Sequence, residues 1–78
     1  EYVYILRSQL DGTFYAGTTE NLKKRIKQHN YHQTKSTSKN GPHNLIWYCC
    51  FPEKSKALKF EKYLKSSSGF AFRNKHLI

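Results

Sequence analysis

The sequence predicts a small α/β domain, on three observations. A strand-like run near the start is interrupted by a short polar loop and then resumes, which is the pattern of a hairpin. A nearly continuous apolar run lies past the middle, as in a buried strand. Two further stretches carry apolar residues at helical spacing. At 78 residues there is room for one modest core, so residues 1–78 read as a single domain.

The first element, Tyr2 to Ser8, is rich in β-branched and aromatic residues, and Thr13 to Gly17 resumes the pattern after Gln9-Leu10-Asp11-Gly12. A loop of those four residues sets Ser8 opposite Thr13 and Leu6 opposite Tyr15. Tyr4 and Tyr15 then share one face as diagonal neighbours, while Val3, Ile5, Phe14 and Ala16 take the other. Gly17 ends the second strand, and Thr18 or Thr19 caps a helix to about Asn30 with Glu20 in its first turn. That helix has few apolar residues, Leu22 and Ile26, and its stripe is completed by Arg25 and His29. Lys23, Lys24 and Lys27 fall away from the stripe, where solvent or phosphate is the natural contact.

Tyr31 to Asn44 is a long polar loop containing Gly41-Pro42, and loops of this length tend to be functional. Leu45 to Phe51, with Trp47, predicts a strand covered on both faces, and Pro52 ends it. Glu53 to Ser66 predicts a second helix with Ala57, Leu58, Glu61, Leu64 and Lys65 along one face. Ser66-Ser67-Ser68-Gly69 breaks that helix, and Phe72, Leu77 and Ile78 close a short third element over the core.

Charge narrows the function. Fourteen Lys and Arg against five acids give a formal charge of +9, and no acid occurs from Asn21 to Pro52. Such a field attracts polyanions, nucleic acid above all, although a solvated basic surface kept for solubility gives the same composition. Neither helix pairs a broad apolar face with basic flanks, which argues against an acidic membrane surface. No stretch approaches the roughly 18 apolar residues of a membrane span, and a strand-like opening is unlike a signal peptide. Adjacent Cys49 and Cys50 point to opposite faces of a strand, so free thiols and a cytoplasmic location are expected.

Among the five acids only Glu61 lacks an ordinary structural reason. Glu1 is terminal, Asp11 belongs to an Asp-Gly turn, and Glu20 and Glu53 open helices, where the dipole favours them. Glu61 lies mid-helix on the apolar side. Either it pairs with Lys65 one turn later, or it holds a cation such as a divalent metal beside a phosphate. The other polar groups on buried faces also have ordinary readings: Tyr4 and Tyr15 as packed phenols, Arg25 as a snorkelling side chain, His29 as a helix-end cation. Their coincidence with Glu61 is harder to dismiss.

In these positions the chain resembles the GIY-YIG nuclease family, and most closely its small stand-alone bacterial members. Tyr2-Val3-Tyr4 stands at the first motif and Tyr15-Ala16-Gly17 at the second, eleven residues separating Tyr4 from Tyr15. Arg25 follows Tyr15 by ten residues, His29 lies a turn beyond, and Glu61 stands at the family's metal-binding glutamate. Lys35-Ser36-Thr37 and Leu64-Lys65-Ser66 carry the likeness to the bacterial branch. Tyr2 replaces the named Gly and Ala16 the named Ile, both compatible with a strand.

The resemblance implies a three-stranded, mainly antiparallel sheet flanked by helices, with the site on the face shared by the two tyrosines. It implies one divalent ion, Mg²⁺ or Mn²⁺, on Glu61, and Tyr4, Tyr15, Arg25 and His29 as catalytic residues. Either Tyr15 or Tyr4 would be the base acting on water, with His29 sharing that proton or orienting the tyrosine. Asn74, the only late Asn, stands as a support of the site. Lys23, Lys24 and Lys27, with Lys35 and Lys39 of the loop, are the expected nucleic-acid contacts. The expected function is a monomeric, metal-dependent DNA endonuclease favouring branched or damaged DNA. The alternative is a nucleic-acid-binding module of the same fold with little catalysis.

Overall fold

The computed structural model describes residues 1–30 and 42–78. Three strands, β1 (Tyr2–Ser8), β2 (Phe14–Thr19) and β3 (His43–Cys50), form one sheet in the order β2-β1-β3, with β1 antiparallel to both neighbours. Three helices accompany them: α1 (Leu22–Asn30), α2 (Lys54–Leu64) and α3 (Ser67–His76). No helix among the described residues is long and apolar enough to cross a membrane.

The hairpin follows from local chemistry. Ser8 Oγ accepts from the amides of Leu10 and Asp11, and Asp11 Oδ1 accepts from the amide and hydroxyl of Thr13. These bonds close the loop so that Ser8 N–H reaches Thr13 O at 2.8 Å and Leu6 pairs with Tyr15. Because side chains alternate along a strand, that register decides both faces at once. Val3 and Ile5 turn towards α2, where they are buried with Ala57 and Leu64 against Phe14, Trp47 and Phe60. Tyr4 and Leu6 turn the other way and are also buried.

Four expectations change. β2 does not stop at Gly17 but continues to Thr19, and α1 begins only at Leu22. Asn21, rather than Thr18 or Thr19, caps α1: its Oδ1 accepts from Lys24 N–H at 3.1 Å, while Thr19 Oγ1 accepts from Asn21 N–H. Glu20 therefore precedes the helix, whose first turn holds no acid. β3 is not covered on both faces. It is an edge strand whose Trp47 and Cys49 are partly buried while Tyr48 is 54% exposed, because two helices pack on one face of the sheet and a single nine-residue helix on the other.

The serine run also does more than stop α2. Ser66 caps a new ten-residue helix, its Oγ accepting from Gly69 N–H at 3.1 Å. Gly69 is buried where α3 turns back on α2, and a Cβ there would collide with the Tyr63 carbonyl, so the α2–α3 junction requires glycine. Leu58, expected on the buried face of α2, is 45% exposed, which leaves Ala57 and Leu64 as its buried contacts.

Candidate active site

The face of the sheet away from α2 and α3 carries a polar cluster. Tyr4 on β1 is 1% exposed, and its hydroxyl lies 2.8 Å from His29 Nε2 on α1, itself fully buried. The Tyr15 ring on β2 is 5.0 Å from the His29 ring and 6.4 Å from Tyr4. The close fit depends on Gly17, the cross-strand partner of Tyr4. A Cβ at Gly17 would lie 2.5 Å from Tyr4 Oη and 3.2 Å from Tyr15 Cε1.

Arg25, one turn before His29, is half-buried and donates to Gln28 Oε1 at 3.1 Å. Its guanidinium is near enough to the Tyr4 phenol to lower that group's pKa, against the larger opposing effect of burial. With His29 neutral its Nε2 can accept, and the Tyr4 O–H donates to it. Neutral His29 suits that role: burial, with the charge of Arg25 and the neighbouring His43, holds its pKa down at about 4. Burial also pushes the Tyr4 phenol above its usual value, more than Arg25 lowers it. Tyr4 is thus a protonated phenol anchored between Arg25 and His29, while Tyr15 is the more open of the two.

Because His29 is neutral when folded and has an ordinary pKa when unfolded, the unfolded chain binds the extra proton between about pH 6.5 and pH 4. Stability is full above that window and is lost as pH falls through it, by up to about 3 kcal/mol. Urea unfolding of wild type and His29→Gln at pH 7 and pH 4.5 is expected to show a smaller acid loss in the variant.

Glu61 on α2 is at the margin of this cluster, near enough for its charge to raise the Tyr4 pKa. Its side chain is 18% exposed, and Oε1 is 2.6 Å from Lys65 Nζ. The pairing with Lys65 read from the helical spacing is therefore formed. The same ammonium is 5.9 Å from the centre of the Tyr15 ring. Among the described residues no group of three or more His, Cys, Asp or Glu side chains gathers to hold a metal ion. That donor set fits a hard divalent ion taking one carboxylate oxygen and filling its remaining positions with water and phosphate oxygens, as Mg²⁺ habitually does.

Around the cluster, Lys23, Lys24 and Lys27 are exposed on α1. A groove of about 520 Å³ between the starts of α1 and α2 meets the cluster at Arg25 and carries both signs of charge, lined also by Lys24 and Lys54 and by Glu1 and Glu20. Lys35 and Lys39 lie outside the described residues. Asn74 is elsewhere: it is exposed on α3 and accepts from Arg73, whose guanidinium covers Phe14 and Phe70. Both cysteines are free thiols, and burial pushes the Cys49 pKa up. The sequence reading missed Gln28, which steadies Arg25, and the reason for Gly17. Gln28 lies three residues after Arg25, a spacing that could have flagged it.

Comparison with known proteins shows the family of the chain. The sequence model of the GIY-YIG catalytic domain matches residues 1–75. The UPF0213 protein of Clostridium perfringens is 43% identical over 65 residues, covering 82% of this chain and 69% of that protein. The UPF0213 protein of Bacillus licheniformis is 40% identical over 68 residues, covering 86% and 69%. The solution NMR structure of the UPF0213 protein from Bacillus halodurans aligns with a TM-score of 0.58 at 34% identity, over 95% of this chain and 81% of that one. With its motifs, its sheet and its relatives in agreement, the chain belongs to the GIY-YIG family of nucleases.

Proposed function

We propose that this domain is a divalent-metal-dependent DNA endonuclease, acting as a monomer and preferring branched or damaged DNA to an extended base sequence. The observation that carries the reading is the convergence of Tyr4, Tyr15, Arg25 and His29 on one face of the sheet, with a mostly buried carboxylate, Glu61, at its margin.

Hydrolysis of a phosphodiester requires a deprotonated water, neutralisation of the charge that builds on phosphorus oxygens, and a stabilised leaving oxygen. Arg25 lines the groove beside Lys24, and its planar fork can hold two phosphate oxygens without ever losing its proton. Tyr15 is the better placed of the two phenols to meet a water, because Tyr4 is enclosed and its proton is directed to His29. Tyr4 and His29 then act together, orienting Arg25 and the floor of the site. Glu61 would hold a Mg²⁺ or Mn²⁺ ion, which supplies charge for the phosphate and the leaving oxygen when bound. Lys23, Lys24 and Lys27 supply backbone contacts that carry no base information, which supports recognition of DNA shape.

A second reading, a nucleic-acid-binding module with little catalysis, draws on the engagement of Glu61 by Lys65. The two separate in a cleavage panel of single-stranded, flapped, nicked and junction DNA with Mg²⁺ and Mn²⁺, run beside Glu61→Ala. The nuclease reading expects metal-dependent cutting of branched substrates that Glu61→Ala loses while still binding DNA. Binding without cutting across the panel supports the module, and selective cutting of plain duplex at one sequence contradicts the structural preference.

A further inference from the structure

Lys65 makes two contacts that an ordinary surface lysine does not combine. Its ammonium is 2.6 Å from Glu61 Oε1 and also stands 5.9 Å from the centre of the Tyr15 ring, at the exposed edge of the cluster. The carboxylate it holds is only 18% exposed, while Lys65 itself is 54% exposed. One partner is therefore fixed and the other can leave.

We propose that Lys65 is an exchangeable internal counter-ion, holding Glu61 until a substrate phosphate draws the ammonium away and frees the carboxylate for a divalent metal. The proposal rests on the reading of Glu61 as the metal-holding residue and adds the order in which the site assembles.

The argument is one of competition. An ammonium in contact with Oε1 occupies that oxygen and places a positive charge where a dication would have to approach. An ion pair one helical turn apart is weak where its cation stays in contact with water, and Lys65 is that exposed partner, so the ammonium can yield to a second anion. The lysine arm is flexible and its ammonium has three donors in no fixed plane, so it can follow a phosphate without distorting α2. A phosphate docked at Arg25 and Tyr15 arrives beside the ammonium, because Lys65 Nζ already lies over the Tyr15 ring. Lys65 then passes from carboxylate to phosphate, and Glu61 becomes available as the phosphate adds its own oxygens to the ion. Metal and DNA must in that case strengthen each other's binding by the same factor. Lys65 is a positioning residue in this scheme, and its signature is a coupling between two ligands rather than a rate.

The test is Mn²⁺ affinity, read by electron paramagnetic resonance of the free ion, with and without a flapped DNA carrying uncleavable phosphorothioate linkages. Four proteins are compared: wild type, Lys65→Met, Lys62→Met and Glu61→Ala, the last giving the background from DNA alone. Lys62→Met removes the same charge from the same helix without touching Glu61, and so controls for net charge. Lys65→Met is expected to bind Mn²⁺ about fivefold more tightly than wild type without DNA, a modest factor in keeping with a pair whose cation is exposed. DNA is expected to tighten Mn²⁺ binding about fivefold or more in wild type and in Lys62→Met, and less than about twofold in Lys65→Met. Equal Mn²⁺ affinities and equal DNA effects in Lys65→Met and Lys62→Met overturn the exchange while leaving Glu61 as the metal site. Mn²⁺ binding by Glu61→Ala equal to that of wild type overturns the metal reading itself, and the exchange with it.

Discussion

Replacing Arg25 with alanine is expected to slow DNA cleavage by about 100- to 1000-fold, the cost of losing a group aimed at charge that develops in the transition state. The guanidinium lies between the Tyr4 phenol and the groove, steadied by Gln28 at 3.1 Å. DNA affinity should change by only a few-fold, because Lys23, Lys24 and Lys27 remain exposed on α1. Arg25→Lys keeps the charge but not the planar fork, and should recover only a small part of the rate. Single-turnover cleavage with saturating enzyme separates the two quantities. Near-normal rates in Arg25→Ala would remove it from the mechanism.

The second large effect is expected at Gly17, which touches no substrate. An added methyl group would lie 2.5 Å from Tyr4 Oη and 2.7 Å from Cζ, distances that force the ring to move. The ring has nowhere inexpensive to go, since Tyr4 is 1% exposed and its hydroxyl is bound to His29 at 2.8 Å. Gly17→Ala should therefore cost about 1–3 kcal/mol of stability, as overpacking does. It should also lower the cleavage rate by about 10- to 100-fold, as expected when site groups are displaced by about 1 Å. Adding Tyr4→Phe removes the nearest clashing atom and should restore part of the stability but none of the activity. A Gly17→Ala protein with wild-type stability and rate would contradict the close packing of the two tyrosines.

How much of this was legible in the chain depended on the range of the interactions involved. The hairpin could be read because its register is set within twelve residues, by a short loop and strict alternation; Leu6 does pair with Tyr15, and Tyr4 and Tyr15 do share a face. The stripe of Leu22, Arg25, Ile26 and His29 was equally local, and the helix carrying it is present, with His29 buried. Reading Glu20 as a helix opener failed because Asn21 competes for the same task with a side-chain oxygen already placed for Lys24 N–H. The serine run does end α2 and a third element does follow it, but that Ser66 also caps α3 shows only in the fold of α3 onto α2. The exposure of Tyr48 depended on how far a short α1 reaches across the sheet, which no local pattern records. Glu61 was singled out by charge and spacing, and of its two readings the pairing with Lys65 is the one the structure shows. The carboxylate is paired with Lys65 and also borders the aromatic cluster.

The most direct test is cleavage of one end-labelled flapped DNA by wild type and Glu61→Gln, in Mg²⁺ and in excess EDTA, with binding measured alongside. Glutamine preserves the shape of the side chain and removes only its charge. The expected result is cutting by wild type that EDTA abolishes, a loss of at least about 100-fold in Glu61→Gln, and DNA affinity within a few-fold of wild type. Cutting that survives EDTA, or a Glu61→Gln protein that cleaves at near wild-type rates, would contradict it.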